Sequence, residues 1–312
     1  MKAQISAYLQ KYNSRTWLNI GLFIFIVLLV MLVVFEPGKQ EESKTVYLTD
    51  LKQSNIKDIE LRRANGIIRL HKRDDVWYIG EPYQLPANDF RAQSVSALAE
   101  AKSHLQYAVK GIDLKKFKLD KPEVTIILNK DVTLEIGGVD PINNRRYVKN
   151  GDTLHLVSDN FYYQLVGLVT AYISYQILPP DIELAQLVLP KFKLTLEKGE
   201  WKLSPTQKEV SADSINEFIN EWRHAQSLEI AEYHGQPRKA NIQIFYKDHE
   251  KPISFSLQKK DDSIFLIRGD LKLSYKLSDE IAEKLQKLPE PPEPAEPAAS
   301  DTPDNNQGKT AE

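Results

Sequence analysis

The pattern of apolar and polar positions changes character several times along the chain. From Trp17 to Phe35, WLNIGLFIFIVLLVMLVVF, 19 residues pass without a charge, and from Ile20 onward 14 of 16 are Leu, Ile, Val or Phe. As a helix this stretch would span about 28 Å at 1.5 Å per residue, enough for a bilayer core. A helix buried in a soluble core would keep a polar stripe, and none is present. Over residues 46–158 and again over 190–288, apolar and polar residues alternate in short runs bounded by turn residues, the period of half-buried strands. Residues 289–312, PEPPEPAEPAASDTPDNNQGKTAE, offer nothing to bury and read as a disordered Pro- and acid-rich tail.

Within 46–158 the runs IKDIELRR, IIRLHKR and VWYI, joined at Asn65-Gly66 and Asp74-Asp75, predict a three-stranded meander. Asn88 is placed to cap a helix that an alanine-rich run carries to about Leu105. Hairpins follow from EVTIILN, VTLEIG, Arg145 to Val148 and TLHLVS. The order then recurs. Phe192 to Leu196, a Lys198-Gly199 turn and Trp201 to Pro205 echo the passage ending at Trp77-Tyr78-Ile79 and Pro82. Ser211 or Asp213 can cap a helix with Ile215, Phe218, Ile219, Trp222 and Ala225 on one face. NIQIFY, ISFSLQ, SIFLIRG and LKLSYKL complete the second half, with a short helix over 278–288. The fold class expected is α+β: an N-terminal transmembrane helix followed by two tandem, repeat-related modules of antiparallel strands with one main helix each.

The apolar helix reads as an uncleaved signal anchor over 17–35. Its apolar region exceeds the usual 7–15 residues of a cleaved signal, and Val33-Val34-Phe35-Glu36-Pro37 follows where small residues would be needed. Trp17, Phe23, Phe25 and Phe35 are the expected membrane-anchoring residues. Lys2, Lys11, Arg15 and the amino terminus outweigh Lys39 and Lys44, which puts residues 1–16 in the cytoplasm. The linker 36–45 reaches at most about 33 Å, so the globular part would stay near the outer side of the cytoplasmic membrane.

The aromatic-rich connecting segment 159–189 contains FYYQLVGLVTAYISYQIL and the tyrosines Tyr162, Tyr163, Tyr172 and Tyr175. It is either a helix packed between the halves or a surface for a partner or the bilayer, because tyrosine combines an apolar body with a polar tip.

Composition removes several functions. The chain has no cysteine, so disulfide scaffolds, thiol nucleophiles and cysteine-ligated metals are out. Its net charge is −2; the last 24 residues hold six acids and one lysine, −5, leaving +3 on the other 288. That is too mild for a nucleic-acid partner. No glycine-rich phosphate loop, GxSxG, HExxH or EF-hand pattern occurs, and the histidines never fall three or four residues apart. No metal, cofactor or catalytic residue is expected. Two Ser-x-x-Lys matches, at Ser54 and Ser256, are what chance gives in a chain rich in both residues. Arg69, His71 and Arg73 share one face of a strand, either a candidate patch for an anionic headgroup or polysaccharide or a solvated edge. Trp77, Trp201 and Trp222 lie on apolar faces, where core packing competes with sugar stacking.

The single N-terminal span, Trp77-Tyr78-Ile79 with Pro82, Pro86-Ala87-Asn88, Phe117-Lys118-Leu119-Asp120-Lys121-Pro122, Gly137-Gly138 and Arg146-Tyr147-Val148 together resemble a bacterial domain-of-unknown-function family, number 4340, over about 45–280. The second half lacks the Leu-Asp-x-Pro element and has only Tyr233-His234-Gly235-Gln236-Pro237 near that place. The resemblance implies a membrane-tethered protein without assigned biochemistry, some relatives accompanying ABC-type export or gliding-motility transport. The expected function is a non-enzymatic accessory or scaffold subunit bound to an integral membrane protein. The alternatives are an envelope glycan- or lipid-binding module, or an enzyme whose site is assembled from dispersed residues.

Overall fold

A computed structural model describes residues 14–35, 45–206, 210–236 and 239–289. Most of the expected cytoplasmic N-terminus 1–16, most of the linker 36–45 and nearly all of the tail 289–312 lie outside the described residues. Two compact units are present, one through Val46 and one from Tyr47 onward.

The first unit contains helix α1, Ser14–Phe35. Its side chains are described over 17–31, and every one is exposed, Trp17, Phe23 and Phe25 among them. Among the described residues no helix is long and apolar enough to cross a membrane.

The second unit is α+β, built on two antiparallel sheets. The first sheet takes β1 (Asp58–Arg63), β2 (Gly66–Arg73), β3 (Val76–Glu81), the short β4 (Leu85–Pro86), β5 (Leu105–Ala108), β6 (Val124–Leu128), β7 (Val132–Val139), β8 (Arg145–Asn150) and β9 (Thr153–Ser158). Their spatial order is β4-β3-β2-β1-β6-β7-β8-β9-β5. The second sheet takes β10 (Leu184–Val188), β11 (Lys193–Glu197), β12 (Glu200–Ser204), β13 (Glu229–Glu232), β14 (Ile242–Tyr246), β15 (Ile253–Lys260), β16 (Ser263–Arg268) and β17 (Leu273–Leu277), ordered β12-β11-β10-β14-β15-β16-β17-β13. β4 apart, the connectivity is the same. A three-stranded meander leads to a helix and then to an edge strand. A four-stranded meander follows, whose first strand pairs with the first strand of the chain's opening meander.

The period-two alternation of the sequence sets which face is buried. In the first sheet Ile68, Leu61, Ile126 and Leu134 pair in register across four strands and are fully buried. In the second, Leu194, Leu187, Ile244 and Ile253 make the corresponding row. Gly66 takes φ of +120° at the first hairpin, a conformation other residues rarely adopt.

Helix α2 (Asp89–Ser96) is capped as its sequence predicts, the Asn88 side chain accepting from the Arg91 amide at 3.2 Å. It ends well before Leu105. One turn of 3₁₀ helix over Ala97–Glu100 closes it, and Leu105–Ala108 is recruited as the edge strand pairing with β9. Between the sheets lie α3 (Tyr162–Val166) and a 3₁₀ turn over Val169–Tyr172. Helix α4 (Ala212–His224) is capped by Ser211, which accepts from the Ser214 amide at 3.0 Å, and it buries Ile215, Phe218, Ile219 and Trp222. Phe218 meets Phe192 edge-on at 5.4 Å. Helix α5 (Asp279–Lys284) is capped by Ser278.

β10 lies inside the segment 159–189, so the second sheet begins before residue 190. A bulge between Leu184 and Gln186 breaks the alternation that would have marked it. One continuous apolar core runs from Leu48 through both halves to Leu285.

Candidate functional site

Phe117 and Leu119 of the Phe117 to Pro122 passage, Gly137 and Arg146-Tyr147 converge on one cluster. Arg146, on β8, donates from Nε and Nη2 to the two carboxylate oxygens of Asp159 at 2.5 and 2.8 Å, and from Nη1 to the Gly137 carbonyl at 2.8 Å. Its guanidinium lies 3.6 Å from the ring centroid of Tyr162. Tyr162 in turn donates to Glu123, and burial first, then that carboxylate, pushes its phenol up to about 12. Leu119 is buried where Gly137 leaves room, for a Cβ on Gly137 would sit 2.5 Å from the Phe117 carbonyl and 2.9 Å from Leu119 Cγ. Phe117 packs edge-on to Tyr147 at 4.7 Å. Tyr147 donates to Asp140; burial works against that carboxylate, but bonds from Asn143 and Tyr147 outweigh it and hold it below its ordinary range. The polar groups of Arg146, Asp159, Tyr162, Tyr147 and Asp140 are bonded to one another or to neighbouring groups of the fold. The cluster ties β7 and β8 to the connecting segment.

That segment separates the four tyrosines. Tyr172 is fully buried and belongs to no surface; burial pushes its phenol up to about 12. Arg63 and Arg91 lie with their guanidiniums 5.9 and 5.5 Å from its ring centroid. Both reach the C-terminal end of α3, Arg63 donating to the Leu165 and Gly167 carbonyls at 3.2 and 2.5 Å and Arg91 to the Gln164 carbonyl at 3.1 Å. Cations at a helix C-terminus are favoured there. Burial pulls the Arg63 guanidinium below its ordinary range. Tyr162 is occupied by Arg146. Tyr163, in contrast, is 80% exposed, Leu168 72% and, on the adjoining α2, Phe90 69%. Tyr175 is also exposed and shares a groove with Phe90.

The basic strand face is compensated in the fold. Arg69 pairs with Glu60 at 2.9 Å and with Glu81. Arg73 lies 3.8 Å from Asp181 and covers Tyr78 at 4.5 Å. His71 stacks on the same ring at 5.9 Å. His71 and Arg73 border an open cleft of about 580 Å³ whose far side is Tyr246, Lys247, Asp248 and His249. The second-half residues of this cleft carried no signal in the sequence, since His71 and His249 stand far apart in it. Trp77 and Trp222 are buried, and Trp201 packs half-buried on the core. Among the described residues no group of three His, Asp or Glu could hold a metal ion.

A family described as Domain of unknown function (DUF4340) matches residues 77–243, more than half of the chain. The chain belongs to the DUF4340 family. The DUF4340 match runs from β3 through the Arg146 cluster and the connecting segment to the start of β14, so it straddles both halves. No curated protein and no solved structure matches the chain.

Proposed function

We propose that this DUF4340 protein is a membrane-tethered accessory subunit acting through protein contacts rather than catalysis. In this reading 17–35 spans the bacterial cytoplasmic membrane with residues 1–16 inside. The folded unit stands on the outer side and docks an integral membrane protein of a transport complex, ABC-type systems being those the family resemblance suggests. The observation that carries it is the run of apolar side chains over 17–31, all exposed. Apolar surface left in water costs about 25 cal/mol per Å², so lipid or a hydrophobic partner must cover them. Tyr163, Leu168 and Phe90 supply a docking face on the connecting segment and α2. The two halves are copies of one duplicated unit, a view supported by their common strand order and matching core rows.

Carbonate washing of membranes should leave the full chain in the pellet, and a protease added outside should digest the folded unit. A photo-crosslinking residue at Tyr163 should give one adduct with an integral membrane protein, and the same residue at Lys110 none. Release by carbonate would overturn the tether; equal adducts from both positions would overturn the docking face.

A further inference from the structure

The cleft of about 580 Å³ joins four parts of the fold: β2 and β3, Gln84 with β4, the stretch 179–183, and the end of β14 with the turn after it. Its size lies within the roughly 300–1,000 Å³ of small-ligand sites. Its walls narrow the ligand class. Two ring pairs border it: His71 on Tyr78, stacked at 5.9 Å, and Tyr246 with His249, at 4.3 Å. Arg73 covers Tyr78, and His71, Tyr246 and His249 are the other rings that border the cleft, each with a flat π-face. Polar groups line it as well. The Tyr78 hydroxyl donates to Asp181 at 3.1 Å, Lys247 donates to Glu183 at 3.1 Å, and Gln84 is a further lining residue.

Charge decides between ligand classes. Arg73 lies 3.8 Å from Asp181 and Lys247 3.1 Å from Glu183, both pairs exposed, and Asp248 adds a third acid, so the lining carries three acids against two cations. An anionic headgroup or phosphate would meet this surplus of negative charge. A purely apolar ligand would leave the polar groups desolvated without partners. A neutral molecule that presents hydroxyls along its rim and C–H groups on its faces meets both conditions.

We propose that this cleft binds a neutral oligosaccharide, its sugar faces resting on the Tyr246–His249 and His71 rings and its hydroxyls hydrogen-bonded to Asp181, Glu183 and Gln84. The site lies wholly within the folded unit and does not depend on the membrane-tether reading.

The test is saturation-transfer NMR on the full chain in a zwitterionic detergent, because sugar-headed detergents would compete. The probes are maltotetraose, cellotetraose and tetra-N-acetylchitotetraose, each at about 10 mM, with dextran sulfate as the charged comparison. At least one neutral tetrasaccharide should bind with a dissociation constant of about 1 mM or tighter. His249→Ala and Asp181→Asn, both at exposed positions, should each weaken it by about tenfold without changing the circular dichroism spectrum. Silence from all three neutral probes overturns the proposal. So does binding untouched by both variants, or tight binding of dextran sulfate that excludes the neutral sugars.

Discussion

Arg146 is the residue on which most of the polar order in the first half converges. Its side chain is 8% exposed, and it spends three donors on Asp159 and the Gly137 carbonyl while its flat face meets Tyr162. Removing one member of a buried pair leaves the other charged and unpartnered, which typically costs about 3–5 kcal/mol, whereas removing both costs far less. Arg146→Met should therefore lower the unfolding free energy by about 3–5 kcal/mol in urea titration, and Arg146→Met with Asp159→Leu should recover a good part of that. Should the double variant be as unstable as the single one, the pair is not what the arginine supports. Arg146-Tyr147 was visible in the sequence as part of a family motif, but its partner was not. Asp159 is one exposed-looking acid in a turn, and only the pairing of β8 with β9 brings it to the guanidinium.

At the scale of elements, the helices and hairpins announced by strong local signals formed where those signals lie. The Asn88 and Ser211 caps, the Asn65-Gly66 turn and the apolar stripe of α4 are all local chemistry. The strands hidden from the sequence owe their existence to tertiary pairing. Helix α2 stops at Ser96, short of the expected end near Leu105, and the strand β5 that begins there gains its place by pairing with β9. β13 is four residues long and gains its place from β17. β10 is masked by its bulge. The cleft residues after β14 were likewise silent, because their grouping depends on how the two halves are joined. Helix α4 tests the local part. Phe218 is fully buried against Phe192, so Phe218→Ala should cost about 3–5 kcal/mol in chemical unfolding. Glu217, on the solvent side of the same turn, should change stability by less than about 0.5 kcal/mol when replaced by alanine. Equal effects would mean that the helix is not seated by its apolar stripe.

For the folded unit as a whole, two sheets of the same connectivity raise the question of whether they act as separate domains. The connecting segment argues against it. Its backbone is bonded to the first half through the Asn88 amide to the Tyr172 carbonyl at 2.6 Å and the Ser174 amide to the Pro86 carbonyl at 2.9 Å. It is bonded to the second through the Ile177 amide to the Ala225 carbonyl at 3.0 Å and the Ser227 amide to the Tyr175 carbonyl at 2.8 Å. Separating the halves would strip one side of these bonds and open the core that runs through Tyr172, Ile173, Ile177 and Leu178. Such a linkage makes a single cooperative transition the expected behaviour, unlike tandem domains on a polar linker. Fluorotryptophan labelling marks all four tryptophans, and among them Trp77 in the first half and Trp222 in the second are the buried reporters. Their native resonances should vanish at the same urea concentration. Phe255→Ala, a fully buried change in the second sheet worth about 3–5 kcal/mol, should lower both midpoints together. If Trp77 kept its native resonance after Trp222 had lost its own, the halves would be independent, and a cleft whose walls come from both would have no fixed width with which to select a ligand.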